Sequence, residues 1–336
     1  MTLPDGNVLK LVELAAAQRQ PMMNNDPDHH SALRLFTGFY EGCPELVIDL
    51  YAKTLVIFNY AQDSGLWEPV IHEVAQKLLS LFPFIECVLL KTRESSDLDA
   101  QKGKTIYGSE ADRLVIENGV HYGLNLRINQ DASFYLDTRN LRQWLKDNTK
   151  DKTVLNTFAY TGSLGIAAMA GGAARVVQTD LDRVFLNHAK GSYALNNFAI
   201  EKKNFIAADF FSVIKGFKDQ KALFDYVILD PPFFSVTEAG KVDQQAECLR
   251  LINKVRPLIA DGGKLIAINN ALFLSGKEYA DLLDSLCSGG YLSMDEYIPV
   301  PEDCTGYPST VVNHPPVDTA PFNHPTKIAM LSVKRK

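Results

Sequence analysis

The sequence predicts an α/β protein with a mostly parallel, doubly wound main sheet and an antiparallel last strand, preceded by a small α+β domain. One observation is the alternation of strand-like and helical segments from about residue 136 onward. The other is the turn Asp230-Pro231-Pro232-Phe233, which follows a buried-looking strand over 224–229. Two prolines cannot continue a strand ladder, because each lacks a backbone N–H. In open α/β sheets, ligands bind where strands end in this way.

Three regions are expected along the chain. Residues 1–30 are expected to form an N-terminal helix, over 8–19, and a polar loop arm. Residues 31–125 are expected to form the small α+β domain, and residues 126–336 the domain of the main sheet. In the α+β domain we expect a hairpin over 46–51 and 54–58 and a helix over 70–82, where apolar residues recur at helical spacing. We also expect a strand over 86–91, and a strand, a turn and the start of a return strand over 114–120.

Composition excludes several classes of protein. The chain has 336 residues, of which 46% are hydrophobic and 22% charged, as in globular proteins with a sizeable core. No apolar run approaches a membrane span, and no secretory signal is evident, so a cytoplasmic protein is expected. The net charge of −6 argues against non-specific coating of nucleic acid. Five scattered cysteines predict reduced thiols and no metal site.

The domain over 126–336 is expected to alternate strands and helices, as a parallel sheet requires. The expected strands are 154–158, 175–180, 204–207, 226–230 and 264–269, then 292–299 and 327–334 at the antiparallel edge. The expected helices are 164–170, 181–196, 210–217, 242–258 and 277–286. A Pro-rich loop over 301–325 is longer than a hairpin needs, and loops of that length are usually functional or disordered.

The first strand of this sheet leads into a candidate cofactor loop. It reads Asn156-Thr157-Phe158-Ala159-Tyr160-Thr161-Gly162 and opens a helix. Gly162 allows close backbone approach to a ligand, and the helix N-terminus offers free N–H groups. The pattern is not GxGxxG, which argues against a dinucleotide.

Three aspartates end or follow the next strands. Asp180 is placed to bind the hydroxyls of a ribose, Asp209 to accept from an adenine amino group, and Asp230 to face an acceptor. A single aspartate at a strand end is more often a helix N-cap. Four successive strands that each end in a ligand-contacting segment favour a cofactor site instead.

The turn after the fourth strand suits a flat heterocycle that carries an amino group. The Asp230 carboxylate and the proline carbonyls can accept its N–H bonds, and Phe233 can stack on its face. The alternative for these four residues alone is a strand followed by a rigid turn.

These segments resemble the bacterial large-subunit ribosomal RNA methyltransferases that modify cytosine at carbon 5 or guanine at nitrogen 7. The resemblance covers roughly residue 33 to the C-terminus, and it rests on residues 129–142, 158–162 and 230–234. It implies a Rossmann-like class I fold, S-adenosylmethionine as cofactor and RNA as substrate. The implied catalytic residues are Asp230, Pro231, Pro232 and Phe233. The implied cofactor-binding residues are Phe134, Tyr135, Asp137, Arg139, Asn156, Phe158, Tyr160, Thr161, Gly162, Asp180, Leu181, Asp209, Phe210 and Asp230.

The chain departs from that family in two ways. The family begins with a small RNA-binding PUA domain, which residues 1–30 are too short to supply, so this module is expected to be absent. Members that methylate carbon 5 of cytosine carry a nucleophilic cysteine after the fifth strand. Here that position has Asn269-Asn270, which resembles the nitrogen-7 branch. Cys304 in the Pro-rich loop is a remote candidate nucleophile, since an unpaired cysteine is usually a small buried hydrophobe.

The expected function is therefore methyl transfer from S-adenosylmethionine to a base nitrogen in RNA, with Asp137, Arg139 and Arg142 beside the site. Two alternatives stay open: a methyltransferase of small molecules or proteins, and a non-catalytic cofactor-binding scaffold. A homodimer formed through strands of the α+β domain is a further expectation.

Overall fold

The computed structural model describes residues 7–335, and these divide into two compact units. The first unit holds the chain up to Leu136 together with Pro301–His314. The second unit holds Asp137–Val300 and the chain from Pro315 onward. From the sequence we expect domain boundaries at residues 30 and 125. The two units have no boundary near residue 30, and the first part of the first unit ends at residue 136, eleven residues after the expected boundary at 125.

The first unit is built on a five-stranded mixed sheet in the order β1-β2-β3-β4-β5. Its elements are α1 Asn7–Asn24, β1 Ala32–Phe36, β2 Leu46–Tyr51, β3 Thr54–Asn59, α2 Ser64–Leu81, β4 Cys87–Thr92, α3 Leu98–Lys102 and β5 Lys104–Tyr107, then a separate hairpin of β6 Leu114–Glu117 and β7 Val120–Gly123. The predicted hairpin forms as β2 and β3, which pair antiparallel, while β3 and β4 pair parallel. The predicted α+β texture of this region is therefore present.

Helix α1 belongs to the core of the first unit, in contrast to the expected helix-and-loop arm. Val8, Val12 and Ala15 are buried in the same cluster as the apolar side chains of β1 to β4. The helix continues through Pro21 to Asn24, so part of the expected polar loop is helical. The expected arm also includes residues 1–6, which lie outside the described residues.

Long-range contacts hold the segment before residue 137 in the first unit. Lys91 is fully buried, and its Nζ donates to the carbonyls of Asn129 and Asp131, both at 2.9 Å. Arg93 pairs with the Asp131 carboxylate at 2.5 Å. Burial lowers the pKa of Lys91 to about 7. Lys91 therefore anchors a loop within the first unit.

The second unit contains a seven-stranded sheet in the order β10-β9-β8-β11-β14-β16-β15. Its elements are α4 Arg139–Asn148, β8 Thr153–Thr157, α5 Ser163–Ala170, β9 Arg175–Asp180, α6 Arg183–Leu195, β10 Phe205–Ala207, α7 Phe210–Asp219, β11 Phe224–Leu229, β12 Phe234–Thr237, β13 Gly240–Asp243, α8 Cys248–Val255, β14 Ile259–Asn269, α9 Gly276–Cys287, β15 Leu292–Tyr297 and β16 Lys327–Val333. The first five strands in this order are parallel, while β16 is antiparallel to both β14 and β15. The predicted fold class is confirmed.

Both faces of this sheet are covered, as a parallel sheet requires. One apolar cluster packs α7, α8 and α9 on it, and another packs α4 and α5. Strand order places β8 next to β11, with their chain directions parallel. The loop after β8 and the turn after β11 therefore leave the sheet at the same edge.

One predicted helix begins later than expected. Residues 234–243 form the hairpin of β12 and β13 instead of the start of a helix over 242–258, and α8 begins at Cys248. The hairpin buries Val242 in the core and leaves Phe234 and Val236 exposed on its other face. The alternation of Phe234-Ser235-Val236-Thr237 has the two-residue period of a strand, although the sequence analysis assigned these four residues to no element.

The Pro-rich segment is ordered by contacts within each unit. Its first part contains a short helix, α10 Glu302–Thr305, in the first unit, and Cys304 is 1% exposed there. Its later part belongs to the second unit, where the Phe322 ring packs on Tyr279 and Tyr297. Within residues 7–335, no helix is long and apolar enough to cross a bilayer.

Candidate active site

The loop after β8 is built from residues with left-handed backbones at alternate positions. Phe158, Tyr160 and Gly162 have φ values of 53°, 50° and 80°. This geometry turns the Ala159 N–H toward the Thr179 carbonyl at 2.9 Å and the Tyr160 N–H toward Asp180 Oδ2 at 2.8 Å. Positive φ is costly for phenylalanine and tyrosine and is concentrated at functional sites. The predicted cofactor loop is therefore held against the end of β9 in a strained shape.

Gly162 is required by packing as well as by its backbone angle. A Cβ at this position would lie 2.7 Å from the Cβ of Ala189 and 2.9 Å from the Gln178 side chain. Beneath the loop, the Asn156 side chain is buried and donates to Gln178 Oε1 at 3.0 Å. Asn156 thus lies under the loop, where it supports the strand ends.

Asp180 ends β9, and each of its oxygens accepts one backbone bond. Oδ2 accepts from Tyr160 and Oδ1 accepts from Asp182 at 2.9 Å. A carboxylate has about four acceptor positions, so one remains on each oxygen, which matches the two hydroxyls of a ribose. Burial raises the pKa of Asp180 despite these backbone bonds. The neighbouring Leu181 is 65% exposed and offers an apolar surface.

Asp209 follows β10 and is the N-cap of α7. A helix N-cap is the common role of an aspartate at the end of a strand. Oδ1 accepts from the Phe211 N–H at 2.8 Å and the Ser212 N–H at 3.2 Å, and Oδ2 accepts from the Thr237 hydroxyl at 2.6 Å. One acceptor position remains, on Oδ2, which is enough for one amino N–H. The capping role and the proposed adenine contact are therefore compatible.

The rings of Phe158 and Phe210 bring two predicted cofactor residues together. They stack with centroids 4.6 Å apart and an angle of 26° between their planes. Phe210 is buried and Phe158 is half-buried. This pair forms an apolar wall between the loop after β8 and the start of α7.

Asp230 lies immediately after β11, half-buried beside exposed residues. Its carboxylate accepts no hydrogen bond from any of residues 7–335, and Pro232 and Phe233 are exposed, the latter at 47%. Burial, followed by the charge of Asp137, raises the pKa of Asp230 to about 7. Asp137 is itself half-buried and accepts from the Thr326 hydroxyl at 2.9 Å. A carboxyl group with these properties can exchange a proton near neutral pH.

The remaining predicted site residues are divided between the two units. Phe134 and Tyr135 belong to the first unit, where the Phe134 ring packs on Tyr122 with centroids 4.9 Å apart. Arg139 begins α4 and is half-buried. Arg142 is 1% exposed and donates to the Thr138 hydroxyl at 2.8 Å, so it supports the start of α4 and does not line an opening.

The segment after β14 has no thiol. Asn269 is buried, with its Oδ1 accepting from the Ala271 N–H at 3.0 Å, and Asn270 is exposed. Cys304, the remote candidate nucleophile, is buried in the first unit. Two polar residues at this edge escaped the sequence analysis: Thr237, which bonds to Asp209, and Gln244, which bonds to the Pro231 carbonyl. Recognising the hairpin would have indicated both.

The second unit fits the nucleoside part of a sulfonium cofactor by the chemistry of its acceptors. Asp180 retains two acceptor positions and Asp209 retains one, as a ribose and an adenine amino group need. The carboxylates of Asp137 and Asp230 suit a positive charge nearby.

Comparison with known proteins agrees with this arrangement. The pattern of the S-adenosylmethionine-dependent methyltransferase family matches residues 96–280, more than half of the chain. The ribosomal RNA large subunit methyltransferase I of Vibrio vulnificus is 31% identical over 242 residues, covering 69% of this chain and 58% of the relative. The ribosomal RNA large subunit methyltransferase K/L of Pseudoalteromonas translucida is 30% identical over 236 residues, covering 67% and 32%.

A solved structure shows the same fold over nearly the whole chain. A candidate S-adenosylmethionine-dependent methyltransferase from Streptococcus mutans superposes with a TM-score of 0.82 at 20% identity, covering 99% of this chain and 82% of that one. The chain spans 58% and 32% of the length of the two curated relatives. From the family match over residues 96–280, the chain belongs to the S-adenosylmethionine-dependent methyltransferase family.

Proposed function

We propose that this protein transfers the methyl group of S-adenosylmethionine to a nitrogen atom of a nucleobase in RNA, with large-subunit ribosomal RNA as the acceptor. The observation that carries the proposal is the carboxylate of Asp230, which has no hydrogen-bond donor among residues 7–335 and adjoins the exposed Pro232 and Phe233. The names of the two relatives support the RNA acceptor. Asn269-Asn270, in place of a cysteine, supports nitrogen over carbon 5 of cytosine.

The cofactor residues would be those of the loop after β8 and the two strand-end aspartates. Asp180 would hold the ribose hydroxyls, Asp209 the adenine amino group, and Phe158 with Phe210 the apolar side of the nucleoside. When bound, S-adenosylmethionine supplies an electrophilic methyl group on a sulfonium sulfur. The sheet edge would orient this group toward Asp230, and orientation is the main rate contribution that such a reaction needs.

Asp230 would orient the acceptor and take its proton. The nitrogen lone pair would form the new N–C bond while the S–C bond breaks. The electron pair of the S–C bond would stay on the sulfur, so the sulfonium would become a neutral thioether. Where the nitrogen carries a hydrogen, that proton passes to the ionised Asp230, whose pKa of about 7 suits this step. No covalent intermediate is needed, because the nitrogen lone pair attacks directly.

Phe233 would supply the stacking surface for the acceptor base. Its ring is 47% exposed at the tip of the turn, where a planar base can lie against it. A base within a duplex cannot reach this ring, so the acceptor would be flipped out or single-stranded. We expect Phe233→Ala to raise KM for RNA without changing the affinity for S-adenosylmethionine.

A labelling experiment tests the class of acceptor. The protein is incubated with methyl-tritiated S-adenosylmethionine and with separated RNA, protein and metabolite fractions of a strain that lacks its gene. We expect tritium in the RNA fraction. Tritium in the protein or metabolite fraction would overturn the RNA acceptor and keep the methyltransferase. Tight cofactor binding with no transfer to any fraction would favour a scaffold.

Calorimetric titration tests the cofactor site separately. We expect wild-type protein to bind S-adenosylmethionine and Asp180→Ala to bind it at least tenfold more weakly, since the ribose would lose its carboxylate. Asp219→Asn, an exposed carboxylate change at the end of α7, is the control and should bind normally. Normal binding by Asp180→Ala would overturn the assignment of Asp180.

The proposal extends to location and assembly. An RNA-modifying enzyme with free, mostly buried cysteines suits the cytoplasm. A homodimer along β5 is supported by its position at the end of the five-stranded sheet, where its residues are exposed or half-buried. Sedimentation at micromolar concentration tests the dimer, and a monomer would overturn it.

A further inference from the structure

Gln244 lies between two loops at the carboxyl edge of the seven-stranded sheet, with 1% of its surface exposed. Its Nε2 donates to the Pro231 carbonyl, and its Oε1 accepts from the Asn270 N–H at 2.6 Å. Its backbone N–H donates to the Phe233 carbonyl at 3.0 Å, and its own carbonyl accepts from Asn269 Nδ2 at 3.0 Å. One residue thus uses four polar groups to join the turn after β11 to the loop after β14.

The turn depends on such bonds because of its composition. Pro231 and Pro232 have no backbone N–H, so these two residues can be anchored only through their carbonyls. Of the turn's carbonyls, those of Pro231 and Phe233 both bond to Gln244. The direction of the turn, and with it the position of Asp230, therefore follows the position of Gln244.

An amide is the side chain that can make both contacts at once. It donates through nitrogen to Pro231 and accepts through oxygen from Asn270, whereas an ionised carboxylate of the same shape only accepts. A buried carbonyl left without its donor is costly, and so is a buried N–H left without its acceptor. Gln244 is therefore matched to this position by its chemistry as well as its size.

We propose that Gln244 is a positioning residue for methyl transfer: it turns the Pro231 carbonyl inward and holds the Asp230 turn at a set distance from the Asn269–Asn270 loop. This proposal rests on the function proposed above for the same site. With the Pro231 carbonyl bonded to Gln244, the Asp230 carboxylate is the group that meets the N–H of the acceptor. Gln244 itself touches neither acceptor nor cofactor.

Kinetics of Gln244→Glu test the proposal, with Gln245→Glu as the matched control. Gln245 is the next residue and is exposed, so its change adds the same charge without touching the turn. The substrate is total RNA from a strain that lacks the gene, and rates are measured well below the melting temperature of each variant. At pH 8 we expect Gln244→Glu to lower kcat at least tenfold, with the Kd for S-adenosylmethionine within twofold. Gln245→Glu should match the wild type.

The pH dependence separates positioning from general damage to the fold. A protonated glutamate can donate its O–H to the Pro231 carbonyl and still accept from Asn270, as the native glutamine does. The ratio of variant to wild-type kcat should therefore rise at least threefold from pH 8 to pH 6, and dividing by the wild-type kcat removes the part of the pH dependence that both proteins share. A loss with no recovery would overturn the donor role, and kcat within twofold of wild type at pH 8 would overturn the proposal entirely.

Hydrogen exchange gives a readout that needs no acceptor. We expect the Asn270 amide to exchange at least tenfold faster in Gln244→Met than in the wild type, while Gln245→Met leaves it unchanged. Unchanged exchange in Gln244→Met would overturn the proposal whatever the kinetics show. If the wild type labels no RNA, the proposed function fails, and exchange still decides whether Gln244 holds the two loops together.

Discussion

Asp230 is a carboxyl group whose charge changes near neutral pH, because burial and Asp137 raise its pKa to about 7. Only the ionised form can take a proton, so kcat should rise with pH through about 7 and then level off. Asp230→Asn should lower kcat by about 100-fold or more, as expected for loss of a general base, and remove this rise. Steady-state rates from pH 5.5 to 9 check both expectations, with Asp219→Asn as the control. A flat profile in the wild type would contradict the role of Asp230.

The same group sets a pH dependence of stability. Between about pH 4 and 7 folded Asp230 keeps a proton that the unfolded chain, with a pKa of 3.8, has released. Linkage then makes its contribution to stability fall as pH rises across this range. Without cofactor, Asp230→Asn should therefore melt above the wild type at pH 8, and the gap should disappear near pH 4. Calorimetric melting curves measure this gap, and an equal gap at both pH values would contradict the raised pKa.

Individual site residues differ in how far the sequence could predict them. Asp180 and Asp230 follow from strand order, because their strands end at the same edge of the sheet. Arg142 could not be assigned from spacing, since burial of one helix face depends on what packs against it. Gln244 lies inside residues 242–258, which the sequence predicts to be helical. A helix over these residues does not predict its bond to the Pro231 carbonyl.

The loop between β8 and α5 has no room for an added methyl group at Gly162. Gly162→Ala would place a Cβ 2.7 Å from Ala189 at a φ of 80°, so we expect a loss of about 1–3 kcal/mol and weaker cofactor binding. Gly191→Ala is the matched control, because that glycine lies inside α6 with nothing within 4 Å of the added Cβ. It should raise stability by about 0.5–1 kcal/mol. Urea unfolding and calorimetry measure both variants; equal effects would contradict the packing argument.

Helix α1 is held to the first unit by a buried ion pair. Arg19 is fully buried, pairs with Glu41 at 2.7 Å and donates to the Asp303 carbonyl at 2.9 Å. Arg19→Met would leave Glu41 buried without its partner and should cost about 3–5 kcal/mol. Urea unfolding measures this cost, and Lys10→Met, an exposed change on the same helix, should be nearly neutral. A small effect of Arg19→Met would mean that α1 does not depend on this pair.

The hairpin of β12 and β13 shows what periodicity alone could not resolve. Val242, Cys248, Leu251 and Val255 are all buried apolar residues, and they lie within residues 242–258, which the sequence predicts as one helix. The helix begins only at Cys248, and residues 234–243 form the hairpin. Thr237 of this hairpin donates a hydrogen bond to Asp209. Tertiary contacts of this kind override local pattern, so the hairpin was missed while the strands on either side were predicted.

At the scale of the whole molecule, the sequence predicts the fold class. The first part of the first unit ends at residue 136, whereas the sequence predicts a boundary at 125. The parallel sheet follows from alternating apolar strands and amphipathic helices within one stretch of chain. The boundary at residue 136 depends on contacts such as Lys91 with Asn129 and Asp131, which are separated by about forty residues. A net charge of −6 further implies that the proposed RNA recognition would depend on a local surface and a flipped base more than on overall attraction.

In the proposed reaction, the Asp230 turn presents a base nitrogen to the methyl donor. Nucleoside mass spectrometry of RNA, methylated in vitro with isotopically labelled S-adenosylmethionine, tests it most directly. We predict a labelled nucleoside methylated on a ring or amino nitrogen, formed by the wild type and lost in Asp230→Asn. Labelled 5-methylcytidine would contradict the claim, because it requires a nucleophile that the segment after β14 does not carry.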